Sequence, residues 1–166
     1  MRVLGIDPGT RCVGYGFVRV EPSGSEAVDF GVLRVETRLP FPEKLKRIHS
    51  AVSELLEQHR PDAVAVEEVF VSQNAKTTLR LGHARGVILL AAVEGGFDVA
   101  EYAPRAVKQA VLGNGSASKE QVIWMVSRML RLPEESLEED AADALAVALC
   151  HGLRCKTDAL LQKDRR

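Results

Sequence analysis

No apolar run in these 166 residues approaches the ~18 consecutive residues that a membrane helix needs, so no membrane role is expected. The first residues read as a strand, not as a charged stretch followed by a long apolar region. No secretion signal is therefore expected, and the protein is placed in the cytoplasm. Cysteine is scarce: Cys12, Cys150 and Cys155 form an odd set without a Cys-x-x-Cys spacing, which argues for reduced thiols rather than a disulfide framework. Cys150, His151 and Cys155 have no fourth ligand nearby and fall in an expected helix, so they make a poor zinc site. Internal repeats, low-complexity tracts and interdomain linkers are also lacking. Net charge is only −1, which taken alone speaks against a polyanionic partner.

What is there changes that reading. An apolar share of 46% is too high for disorder, and a single domain of this length buries roughly 70% of its unfolded surface. The charge is segregated along the chain. From Gln73 to Arg131 there are eight Lys or Arg against four Asp or Glu, whereas Pro133 to Asp143 holds six acids and no base. One region can attract a polyanion while another concentrates negative charge. Solvated helix faces would explain Glu134, Glu135, Glu138 and Glu139 equally well.

Residues 2–7 and 13–20 read as strands joined by a Pro8-Gly9-Thr10 turn. A Pro22-Ser23-Gly24 turn leads into a third strand over 27–36, so the three form an antiparallel meander. Pro40 and Pro42 open a helix with apolar residues at Leu45, Ile48, Val52, Leu55 and Leu56. A buried strand over 62–69, a long helix over 75–95 and a strand over 97–102 follow. Helices are expected over 104–112, 119–131 and 140–154. This order gives an α/β fold: a mixed five-stranded sheet flanked by helices on both faces. The domain is expected to span 1–155, with 156–166 a polar, flexible tail.

Acidic residues stand where apolar segments end or turn. Asp7 follows Val3-Leu4-Gly5-Ile6, Glu67 follows Ala63-Val64-Ala65-Val66, and Asp140 and Asp143 open a small-residue helix. Asp7 could cap its turn, and one of the helix acids could be an N-cap. Several carboxylates at buried strand ends are harder to explain structurally, because each unpaired buried anion costs several kcal/mol unless a cation sits among them. Hard oxygen ligands on rigid elements suit Mg²⁺, and two ions about 4 Å apart suit phosphodiester cleavage. Asp140 and Asp143, three apart, share one side of their helix, and Ala141, Ala142, Ala144 and Ala146 allow that helix close to the sheet. Glu67 and Glu68 alternate across the sheet, so only one can approach Asp7; the pattern alone leaves open which. No Ser-His or Cys-His arrangement accompanies the acids, as expected if water is the nucleophile.

Gly5-Ile6-Asp7-Pro8-Gly9-Thr10, with Gly14-Tyr15-Gly16 after it, resembles the opening of the RuvC family of Holliday junction resolvases. The same holds for Val66-Glu67-Glu68-Val69-Phe70, Leu81-Gly82-His83-Ala84-Arg85-Gly86, Val107-Lys108-Gln109 and Asp140-Ala141-Ala142-Asp143-Ala144-Leu145-Ala146. These blocks span residues 2 to about 151 in family order. The resemblance implies an RNase H-like fold, a homodimer, and resolution of four-way DNA junctions by paired nicks, alongside a RuvA-RuvB branch-migration complex. It assigns Asp7, Glu67, Asp140 and Asp143 as catalytic carboxylates holding two Mg²⁺, with Mn²⁺ as a substitute. Asp7 is given the bridging place, and the products carry 5′-phosphate and 3′-hydroxyl ends. Phe70 is implied as a base-contacting aromatic, although a Phe beside a strand is more often core.

Lys108 and Lys119, each ordinary surface by itself, are expected to contact phosphate once the resemblance is taken with them. Ser118 and Gln121 fit a capping box that sets Lys119 in a helix's first turn, where a cation is poorly placed until a phosphate balances it. Gly82 and Gly86, four apart, admit a neighbouring backbone, either the sheet of the same chain or a second copy. Competing readings are a YqgF-like or other RNase H-like nuclease, and a junction-binding module without cleavage. The actin-like ATPases share the Gly-x-Asp-x-Gly-Thr opening but need a second nucleotide-binding half, for which this chain is too short. Strand alternation gives a direct test: Glu67→Gln should abolish metal-dependent cleavage and Glu68→Gln should leave it near normal. The reverse result in a nicking assay would mean the inward face is wrongly assigned.

Overall fold

Two tight turns fold the first fifth of the chain into a meander of β1 (Arg2–Asp7), β2 (Cys12–Glu21) and β3 (Gly24–Arg34). The computed structural model describes residues 1–69 and 74–163. Pro42, just inside α1 (Phe41–His59), supplies the fixed φ that suits a helix start. This helix buries Ile48, Val52 and Leu56 and carries the chain over to β4 (Ala63–Glu67). Next come α2 (Ala75–Glu94), β5 (Val99–Tyr102), α3 (Pro104–Leu112) and α4 (Lys119–Leu130). A single 3₁₀ turn at Glu134–Ser136 leads into α5 (Glu139–Lys163).

The five strands lie in the order β3-β2-β1-β4-β5. The β1–β2 and β2–β3 pairs are antiparallel, and the β1–β4 and β4–β5 pairs are parallel. This is the mixed sheet expected. Period-two alternation divides each strand between two cores. Leu4, Ile6, Val64 and Val66 face α1 and α2, while Val3, Ala65 and Tyr102 face α5 with α3 and α4 behind it. Asp7 and Glu67 continue the second set, so both carboxylates belong to the α5 face.

Helix α5 lies unusually close to the sheet. A Cβ on Gly5 would fall onto the carbonyl oxygen of Ala144, and one on Gly14 onto that of Asp140. On the helix side Ala141, Ala144 and Ala148 are almost fully buried. The helix also departs from expectation. It continues past 154 to Lys163, so residues 156–163 of the expected loose tail are helical. Nothing from Leu153 onward is a Gly or Pro. The Lys156 ammonium reaches the Glu21 carbonyl, and the Thr157 hydroxyl donates back to the Leu153 carbonyl at 3.0 Å. Polarity suggested a tail, but polarity does not stop a helix that already has a nucleus. Among the described residues no helix is long and apolar enough to cross a membrane.

Because backbone, not a flexible side chain, occupies the space beside Gly14, Gly14→Ala should cost about 1–3 kcal/mol or more. Urea unfolding should show the loss. An unchanged midpoint would mean that α5 can shift outward freely.

Candidate active site

The last parallel pair, Ile6 with Val66, brings Asp7 and Glu67 side by side at the carboxyl end of the central strands. Their carboxyl groups share a hydrogen bond. Glu68 is exposed, as expected for the opposite face. On that same face of the sheet, α5 brings up Asp140 in its first turn and Asp143 one turn further on. Asp7 feels the charge of both. The four acids read from the sequence therefore converge at one sheet end.

Burial and mutual repulsion push these acids far from ordinary carboxylate behaviour. Desolvation raises Asp143 to about 6, with Lys119 and Lys108 pulling the other way. Asp7 is raised to about 7, first by burial and then by Asp143. Glu67 is raised to about 9, again by burial first and then by Asp7 and Asp143. Burial and mutual repulsion thus make it hard for the Asp7–Glu67 pair to lose both of its protons. Among the described residues no three candidate ligands are already gathered as a metal cage. The donor set nevertheless suits a hard divalent cation. Such a cation would be held by Asp7, Glu67 and Asp143 and would relieve the repulsion among them.

Both lysines singled out in the sequence reach this cluster. Lys108 donates to the Ala117 carbonyl at 2.6 Å, and its charge favours ionisation of Glu67 and Asp143. Lys119 lies in the first turn of α4, after the capping box formed by Ser118 and Gln121. Its ammonium is paired with Glu139, a partner the sequence reading did not identify. The helix-end conflict is thus already eased without a phosphate, which removes that part of the argument for Lys119. Glu139 had been grouped with solvated acids; its place directly before Asp140 at the helix start was the available signal. Phe70 lies outside the described residues. Gly82 and Gly86 are exposed on α2, and a Cβ on either would meet nothing within 4 Å. They do not serve contact with the chain's own sheet.

A self-repelling carboxylate cluster at the end of a mixed sheet defines the class first: a nuclease-like centre on an RNase H-like fold. Comparison with known proteins agrees. The family model described as crossover junction endodeoxyribonuclease RuvC matches residues 3–151. A protein of that name from Alkalilimnicola ehrlichii is 49% identical over 162 residues, covering 98% of this chain and 97% of that protein. The structure of Thermus thermophilus RuvC superposes with a TM-score of 0.86 at 40% identity, covering 95% of this chain and 97% of that one. Thermus thermophilus RuvC in complex with Holliday junction substrate gives 0.85 at 38% identity, covering 95% and 96%. The chain belongs to the RuvC family of crossover junction endodeoxyribonucleases, hydrolases acting on DNA.

Raised carboxylate pKa values mean that the folded protein holds protons more tightly than the unfolded chain. Their stabilising effect is complete below the ordinary carboxylate range and is lost as pH climbs through about 6, 7 and 9. In chelator, the melting temperature should therefore fall from pH 5 to pH 9, and Asp7→Asn should flatten that fall. Mg²⁺ should restore more stability at pH 9 than at pH 5. A scanning-calorimetry profile insensitive to both changes would refute the account of a charge-strained site.

Proposed function

We propose that this protein resolves four-way DNA junctions in recombination and repair, working in the cytoplasm as a symmetric dimer that nicks two opposed strands. The observation that carries this reading is the convergence of Asp7, Glu67, Asp140 and Asp143 on one sheet end, with Lys108 and Lys119 beside them. These four acids would hold Mg²⁺, two ions by the number of ligands, with Mn²⁺ able to replace them. Bound there, the metal supplies activation of water and stabilisation of the leaving 3′-oxygen, so that a 5′-phosphate and a 3′-hydroxyl remain. Asp7, within the electrostatic reach of the other three acids, would be the ligand central to the set. Lys108 and Lys119 balance the phosphates that the acids would otherwise repel. Phe70, directly after the acidic strand, is assigned to an unstacked base near the cut.

The dimer reading rests on α2. Leu79, Leu90 and Val93 are 64%, 49% and 64% exposed, and with Gly82 and Gly86 they fall at steps of three and four along one stripe. An apolar stripe interrupted by two uncovered glycines suits the close approach of the same helix from a second copy. A two-fold dimer presents two equivalent sites to a junction with approximate two-fold symmetry. A RuvA-RuvB motor would be the partner that delivers the junction.

A synthetic four-way junction and a linear duplex of matched sequence, each with Mg²⁺ and with EDTA, test the proposal. Symmetrical nicks in the junction alone, and none in EDTA, are the expected result. Asp7→Asn should stop cutting and leave junction binding intact or tighter, because one anion facing the phosphates is gone. Equal cutting of both substrates would sink the junction reading.

A further inference from the structure

On the layer opposite Lys108 and Lys119, the end of the sheet carries a second basic feature that the acids do not use. A concavity of about 430 Å³ opens between the β1–β2 turn, the segment before α1 and the first turns of α1 and α2. Thr10, Arg11, Thr37, Lys44, Thr77 and Arg80 line it. Thr10 and Arg11 come three and four residues after Asp7, in the turn that follows the catalytic strand. The Val35 N–H donates to the Arg11 carbonyl at 2.8 Å and ties the second wall to that turn.

The cations here are spare. None of Arg11, Lys44 and Arg80 takes part in an ion pair among the described residues. No acid lines the cavity among the described residues either. Lys44 donates to the Thr37 carbonyl at 2.9 Å, which fixes its ammonium at the rim. The Arg80 guanidinium lies 5.3 Å from the centre of the Phe41 ring, and that ring packs edge-on against His83. A guanidinium stacked this way keeps its N–H edge free for a bidentate acceptor. Thr77 sits in the first turn of α2, which carries no acid, so the positive helix end adds to the same field.

We propose that the Arg11–Lys44–Arg80 pocket binds a phosphodiester of the junction strand, on the far side of the acids from Lys108 and Lys119. The strand would then be gripped by cations of both helical layers, with the scissile phosphate between them. This rests on the resolvase reading above. Its test uses the full-length protein, a four-way junction and Ca²⁺ in place of Mg²⁺. Arg80→Ala and Lys44→Ala/Arg80→Ala should lower the slope of log affinity against log salt by about one and two units. Arg80→Gln, checked for an unchanged melting temperature, guards against a folding effect and should reproduce the first loss.

A scan of the junction with single neutral methylphosphonate linkages then locates the contact. At one linkage, neutralisation should weaken wild-type binding several-fold and leave the double variant unaffected. If wild-type protein binds the junction but the slopes do not change, or if the losses are additive at every linkage, the pocket is not a strand site. A pocket that took free phosphate instead would give that same additive result. Wild-type protein that fails to bind the junction at all overturns the resolvase reading, and this proposal with it.

Discussion

The acidic end of this molecule depends on how closely the α5 backbone approaches β1 and β2. Gly5 and Gly14 lie on one face of the sheet, Gly14 opposite Asp7, and each lacks the Cβ that would collide with a carbonyl of α5. Ala141, Ala144 and Ala148 complete the contact from the helix side. Were either surface to carry larger side chains, the helix would stand several ångströms further away, at a more usual packing distance. Asp140 and Asp143 would then no longer feel Asp7. Small residues here gain little from burial of their own side chains; their effect is positional, and the acids are what they position.

That placement works against stability. Burial and repulsion raise Asp7, Glu67 and Asp143 together, so the folded chain holds a site that resists its own ionisation. The surrounding core opposes the tendency of such a site to relax by moving apart. Phe17, Leu4, Ile6, Leu145 and Leu149 are all fully buried around the same strands and helix. Rigid elements on both sides keep the acids together, where a divalent cation would relieve their repulsion.

Much of this was legible in the sequence because it follows local periodicity. Two short turns gave the meander, Pro42 the start of α1, and the alternation of Val64 and Val66 with Ala65 and Glu67 a strand with two faces. The same alternation could not tell Glu67 from Glu68, because the choice depends on which face meets α5, a long-range fact. Likewise, the alanines of α5 were visible as a flat helix surface, while the roles of Gly5 and Gly14 depended on a packing partner far along the chain. The ion pair of Lys119 was hidden for the same reason: its first-turn position is local, but Glu139 reaches it from another helix. The far end of α5 was misjudged because polarity reports exposure, and exposure is compatible with a helix. Phe70, within 70–73, lies outside the described residues.

A net charge of −1 conceals an arrangement in which cations and anions depend on one another. Lys108 and Lys119 both pull the carboxylates toward ionisation, against a larger push from burial. Protons, divalent cations and lysines therefore compete for the same negative charge. Without the lysines the acids would retain protons to higher pH. With the lysines much closer, the acids would be satisfied internally and a metal would gain little. Lys119 avoids that second extreme because Glu139 already engages its ammonium, and Lys108 because it is held by a backbone carbonyl. Each lysine is thus near enough to weaken the proton's hold, yet restrained from closing on the acids. The carboxylates are thereby left open to a divalent cation, which could accept oxygen ligands where a lysine offers only donors.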